Sequence, residues 1–221
     1  AGEMDLGASG SLPTINVEIK GLLADGGDGT DANPADVIAY IFCDKANGLG
    51  MDDSALDSAS LARYRSFCQA ADVLISTPPD TQKKKAYEIV NDILSATNSI
   101  GIWSQDRLKI IPLSDETILA NGASYTPDLT PKYDLTLDDF LPDSDGTAVT
   151  FEREDDSESY NECSVEFLNR ENSYEKQTVK YQVLSDVARR GLRPASTESV
   201  YLLHTKERAE YVAELKAKQS I

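Results

Sequence analysis

Between residues 86 and 113 the spacing of apolar side chains changes from a helical to a strand period, which argues against an all-helical or an all-β chain. Ala86, Ile89, Val90, Ile93 and Leu94 recur at intervals of three and four, placing them on one face of a helix. Residues 100–103 and 107–113 then form two β-prone runs around Ser104-Gln105-Asp106, the layout of a hairpin. A helix and a hairpin that each need one face buried predict an α+β fold.

On the N-terminal side, Ile15, Val17 and Ile19 alternate with Asn16, Glu18 and Lys20, the period of a half-buried strand over residues 13–22. The run Asp25-Gly26-Gly27-Asp28-Gly29-Thr30-Asp31 has oxygen ligands in number, but not at calcium-loop spacing, so a solvated linker is expected. Asn33-Pro34 reads as a helix start, with an asparagine cap and proline at the first helical position. Val37, Ile38, Ile41 and Phe42 make its apolar face. A second helix is predicted from Ser60, burying Leu61, Tyr64, Cys68 and Ala71, and a third from Thr81 or Gln82.

Beyond the hairpin the chain reads mostly as strand and loop. Strands are predicted over residues 133–136, 147–153, 160–169 and 178–184, with one helical turn at residues 137–141. Residues 205–218 return to helix, with Ala209, Val212 and Ala213 on one side and Glu214 and Lys218 at favourable i,i+4 spacing. The resulting division is a closing strand and linker at 1–32, a helical subdomain at 33–98 and a β-rich part with a C-terminal helix at 99–221.

The chain has 221 residues, enough for a substantial core, and its charge narrows the partners. Its 38 Asp and Glu against 21 Lys and Arg give a formal net charge of −17, which repels phosphate backbones and anionic lipid. Nucleic acid is therefore not expected as a partner. A membrane span is not expected either, since no run approaches the roughly 18–20 apolar residues it needs. A basic-then-apolar leader is not apparent, and in the start Ala1-Gly2-Glu3-Met4 residues 1–2 read as a cloning scar on a fragment of something longer. Cys43, Cys68 and Cys163 are odd in number and scattered, as expected of thiols rather than a disulfide framework or zinc site.

Catalytic chemistry finds little to stand on. His204 is the single histidine and precedes the last helix beside Leu202 and Leu203, a setting for packing or capping. A serine nucleophile would need a base, and no other histidine can supply one. Gly48-Leu49-Gly50 lacks the remaining glycines and the strand-to-helix setting of a nucleotide loop. Carboxylate pairs at glycosidase separation are uninformative among so many acids. Trp103, beside a polar turn, reads as a half-buried sheet residue, with sugar stacking as its functional counterpart. Ten acids and one base lie between residues 134 and 158, expected to be solvated surface, with a basic partner or a cation near Asp143 and Asp145 as the other reading. No enzyme, cofactor, catalytic set or metal is expected.

Several segments in order resemble the central tail-tip or baseplate-hub proteins of tailed bacteriophages, the host-specificity or tip-attachment class. They are Ser11-Leu12-Pro13-Thr14-Ile15-Asn16-Val17-Glu18-Ile19-Lys20-Gly21, Asn33-Pro34-Ala35-Asp36-Val37-Ile38, Asn47-Gly48-Leu49-Gly50 and Ala55-Leu56-Asp57-Ser58-Ala59-Ser60. Ile102-Trp103-Ser104 and Arg107-Leu108-Lys109-Ile110-Ile111-Pro112 match that family's hairpin after a helix. Thr136-Leu137-Asp138-Asp139-Phe140, Tyr160-Asn161-Glu162-Cys163-Ser164-Val165-Glu166-Phe167 and Arg189-Arg190-Gly191-Leu192-Arg193-Pro194-Ala195 follow, with Asn161, Tyr174 and Gly191 at marked places. Cys163 departs from the aliphatic or small residue expected, and the family extends beyond both ends of this chain.

The resemblance implies a mainly β hub-like domain carrying a three-helix subdomain. It also implies a structural role linking tail tube to tip fibres or spike, other tail proteins as partners, a trimeric ring, and a place in a virion tail assembled in the host cytoplasm. A cell-wall hydrolase, or a glycan- or receptor-binding tip, is the competing expectation.

Overall fold

The computed structural model describes residues 19, 21, 23, 26–76, 84–131, 133–142, 146–150 and 159–221. Most of the strand expected at residues 13–22 lies outside them, as do Thr81, Gln82, Asp143, Asp145 and residues 151–158. The described residues form a mixed α+β fold of five α-helices and seven strands in small sheets, with a C-terminal helix, in agreement with the expected fold class.

Helix α1, Pro34–Cys43, starts where Asn33 caps it. Asn33 Oδ1 accepts the Ala35 N–H at 3.0 Å, while its Nδ2 donates to the Arg65 carbonyl at 3.1 Å. One buried side chain thus both starts α1 and ties it to the next helix. Helix α2, Ser58–Ala70, begins two residues before the expected Ser60, because Asp57 is the better cap and accepts the Ser60 N–H at 2.8 Å. It buries Tyr64, Phe67, Cys68 and Ala70.

Helix α3, Ala86–Ala96, starts later than expected. The Glu88 carboxylate accepts the Lys85 N–H at 2.9 Å and so sets the first turn after Lys85. Tyr64 and Thr97 hydroxyls meet at 2.8 Å inside the core, joining α2 to the end of α3.

Asn98, in a left-handed conformation at φ 47°, turns the chain from α3 into the hairpin of β1, Ser99–Ser104, and β2, Arg107–Pro112. Its carbonyl accepts the Leu113 N–H at 2.9 Å and its Nδ2 donates to the Leu113 carbonyl at 3.1 Å. The turn is only Gln105-Asp106, both at positive φ (55° and 60°), the twist that a two-residue hairpin requires.

A second hairpin, β3 (Ile118–Ala120) and β4 (Ala123–Tyr125), was not expected. Asn121 and Gly122 make its turn at φ 52° and 72°, and the Asn121 amide reaches the Ala70 carbonyl at 3.1 Å to close the end of α2.

The third sheet runs in the order β6-β5-β7. Strand β5, Glu162–Asn169, pairs antiparallel with β6, Glu175–Gln182, and parallel with the short β7, Glu198–Ser199. Strand β6 begins and ends earlier than the expected 178–184, because helix α4, Leu184–Arg190, takes over the following residues. Helix α5, Lys206–Gln219, packs on β5 and β6 and buries Ala209, Val212 and Ala213. Its Glu214–Lys218 pair closes at 2.9 Å, as its spacing predicts.

Two expected strands are absent among the described residues. Residues 133–136 pair with nothing, and neither do 147–150, the described part of 147–153. Period-2 alternation states which side of a segment seeks burial, and these segments meet no partner strand among the described residues. One 3-10 turn, Leu137–Asp139, lies inside the expected helical turn.

A single hydrophobic cluster unites these parts. It draws Ile38 and Phe42 from α1, Tyr64 and Phe67 from α2, Ile93 from α3, Leu108 and Ile110 from β2, Val165 and Phe167 from β5, and Val212 from α5. Each large side chain taken fully out of water contributes about 1.5–3 kcal/mol before entropy is counted.

Candidate functional site

His204 is buried, and both of its ring nitrogens face backbone carbonyls. Nδ1 lies 3.1 Å from the Leu168 oxygen at the end of β5, and Nε2 lies 3.2 Å from the Ser76 oxygen. Tyr174 stands edge-on to the ring at 5.3 Å. The imidazole therefore fastens the 73–76 segment to the β5–β6 end of the sheet. No nucleophilic side chain among the described residues hydrogen-bonds to it.

Next to it lies the densest ionic cluster of the described residues. Asp31, 1% exposed, accepts from Ser76 Oγ, from both terminal nitrogens of Arg170 and from Arg208. Arg208 is 5% exposed and continues the chain of charges to Asp28 at 2.7 Å and Asp72 at 2.8 Å. Burial works to raise the Asp31 pKa, but the Arg170 and Ser76 hydrogen bonds and the two guanidinium charges outweigh it and hold the carboxyl down to about 2. Burial of Arg208 is likewise outweighed by Asp72 and Asp28, which keep it charged. Its Nε is buried with no hydrogen-bond partner.

Of the described part of the stretch expected to be solvated linker, Gly26, Asp28 and Thr30 are exposed, and Asp31 alone is turned fully inward. Asp28 accepts the Thr30 and Asp31 N–H groups at 2.8 and 2.7 Å, and this tight turn aims Asp31 at the cations. Sequence reasoning missed the cluster because its members are up to 180 residues apart, with no local pattern to connect them.

Asn161 and Gly191 come together, while Tyr174 stays with His204. The Asn161 amide donates to the Gly191 carbonyl at 2.8 Å and to Asp186 at 3.0 Å, and its oxygen accepts the Arg193 N–H at 2.7 Å. Asp186 is held in turn by Arg190 at 2.8 Å. These contacts pin the loop after α4 against the start of β5, which is a structural task.

A cleft of about 570 Å³ runs beside β5, β7 and the end of α5, lined by Cys163, Glu198 and Lys216 among others. Lys216 is held by Glu198 at 2.7 Å, and burial pushes the Cys163 thiol up, away from the reactive thiolate. Burial does the same to Cys68, and to Cys43 together with Asp53.

The remaining conspicuous features are on the surface. The β1–β2 register places Ile100, Ile102 and Ile111 on one face with Lys109 and Arg107. Gly101 lies on the opposite face, where an added Cβ would meet Leu94 at 2.9 Å. The three isoleucines are 41–44% exposed. Trp103 is 55% exposed and tilts against Phe42 at 6.2 Å. A second apolar stretch runs through Leu129, Tyr133, Leu135, Leu137 and Leu141, all exposed beside Asp134, Asp138 and Asp139.

Among the described residues, no group of three or more His, Cys, Asp or Glu is placed to hold a metal ion. No helix among them is long and apolar enough to cross a membrane. The model of the family described as "Putative phage tail protein" matches residues 85–217, more than half of the chain. No curated protein matches it.

Proposed function

Because this chain belongs to that phage tail protein family, we propose that it is a structural subunit of the tail tip or baseplate hub, linking the tail tube to tip fibres or spike. In this reading it works as a homo-oligomer, a trimeric ring, in contact with other tail proteins. The observation that carries the reading is the apolar surface left open on the β1–β2 hairpin and along residues 129–141. Isolated large apolar residues on a surface are ordinary, but a contiguous run of them marks a surface that is covered in an assembly. The polar clusters support the same reading, since their charged and amide groups are spent on holding segments of the chain together.

Antibodies against the chain, applied to purified particles in the electron microscope, test this directly. Label at the tail tip is expected. Label along the whole tail tube would overturn the tip assignment, and label confined to capsids or to host cytoplasm would overturn the tail role. A glycan- or receptor-binding tip is the second reading, favoured by the half-exposed Trp103 beside its turn. Binding to host cells that is lost in Trp103→Ala and retained in tip-labelled particles would move the assignment there.

A further inference from the structure

Tyr133, Leu135 and Leu137 alternate with Asp134 and Thr136, the spacing that puts three apolar side chains on one side of an extended chain. They are 82%, 58% and 72% exposed, and no strand pairs with them among the described residues. The turn that follows is ordered: Asp139 accepts from the Thr136 backbone N–H at 2.7 Å and its hydroxyl at 2.9 Å. This sets the turn over Thr136–Asp139, and Asp134 and Asp138 are exposed charges beside it. The segment is therefore a shaped, acidic and apolar arm with one side unfinished.

The β1–β2 hairpin offers the complement. Its outward face carries Ile100, Ile102 and Ile111, and the same face carries Lys109 opposite Ile102 and Arg107 at the turn end. That surface is apolar and cationic in a chain of net charge −17. Such a patch attracts acidic partners and repels basic ones. The arm and the hairpin face match in sign and in apolar content, and each stays exposed in its own copy.

Resting on the structural tail reading, we infer that residues 133–141 of one copy lie across the outward β1–β2 face of a second copy. Tyr133, Leu135 and Leu137 cover the isoleucines, with Asp134 and Asp138 toward Lys109 and Arg107. Donor and acceptor surfaces differ, so the contact is head-to-tail: each copy gives an arm and receives one, and the contact closes into a ring or continues as a stack.

Cysteine pairing tests it on the full chain with Cys43 and Cys163 replaced by serine. Ile102→Cys and Leu137→Cys variants, mixed and oxidised, are expected to give a disulfide-linked dimer. The double variant is expected to give a ladder of linked oligomers on a denaturing gel. A fast-migrating, internally linked monomer would show the arm folding onto its own hairpin and overturn the inference. So would the lack of any cross-link in purified tails that carry the double variant.

Sedimentation supplies the second measurement, with Leu137→Asp and Lys109→Glu each expected to weaken self-association about tenfold or more. Pairing Lys109→Glu with Asp138→Lys is expected to restore it, an outcome that a merely misfolded variant would not give. Tail label without cross-links removes this inference and keeps the tail reading. A ladder from particles without tail label removes the tail reading instead.

Discussion

The side-chain amide of Asn161, at the threshold of β5, donates to the carbonyl oxygen of Gly191 across 2.8 Å. The same side chain holds Asp186 and the Arg193 N–H, so one fully buried residue organises the loop after α4. Asn161→Ala leaves these groups without their partner, and about 3 kcal/mol of stability is expected to go. Asn161→Asp keeps the bond from Arg193 but sets a second carboxylate against Asp186, and its deficit should shrink as pH falls and one of the two takes up a proton. Denaturant unfolding of the three proteins at pH 7 and pH 4 measures both. An unchanged midpoint in Asn161→Ala would remove Asn161 as the organiser.

Asp31 makes stability acid-sensitive. Its folded pKa, about 2, lies below the ordinary carboxylate value of 3.8, so the stabilisation is fully present above that value and is lost as pH falls toward 2. The amount is on the order of 2 kcal/mol for this carboxyl. Unfolding followed from pH 6 to pH 2 should show the loss, and Asp31→Asn should flatten that limb while lowering stability at pH 7, because Arg170 and Arg208 then lack their anion. An equally steep acid limb in Asp31→Asn would assign the effect to other carboxyls.

Gly122 sits at φ 72° with open space where a side chain would go. A substitution there meets backbone strain and no clash, so Gly122→Ala is expected to cost about 1 kcal/mol. Gly101→Ala has the opposite cause, since its Cβ would press on Leu94 and Leu108 at 2.9 and 3.3 Å. Urea midpoints of both variants, and of a Gly101→Ala, Leu94→Val double variant, separate the mechanisms. Recovery is expected only where a side chain was in the way.

The three thiols should differ in access. Cys68 is buried in α2 and its pKa is raised by that burial, whereas Cys43 and Cys163 are partly exposed. Alkylation of the native chain followed by mass mapping should label Cys43 and Cys163 slowly and spare Cys68, with all three labelled in denaturant. Native labelling of Cys68 at a rate equal to that of Cys163 would contradict the packing of α2.

Local signals carried the elements they encode. Asn33-Pro34 announced α1 because cap and first-turn proline act within three residues, and the change of period announced α3 and the first hairpin. The Asn121-Gly122 turn was equally local and was passed over, since its strands are three residues each and show too little alternation. Residues 133–136 misled for a physical reason: their alternation states a demand for burial, and no strand among the described residues meets it. The Asp31 cluster was illegible, because two guanidinium groups reach it from 139 and 177 residues away and each, alone, looks like a surface charge.

The clasp between Arg208 and Asp31 also sets an order in time. A nascent chain that has emerged only through α4 already displays Asp28, Asp31 and Asp72, but the cation that gathers them arrives later, with α5. Until then the 28–31 turn lacks one of its two guanidinium partners, and α5 has not yet covered the β5–β6 sheet. Translation interrupted before α5 leaves these carboxylates without Arg208 and the β5–β6 sheet without the helix that packs on it.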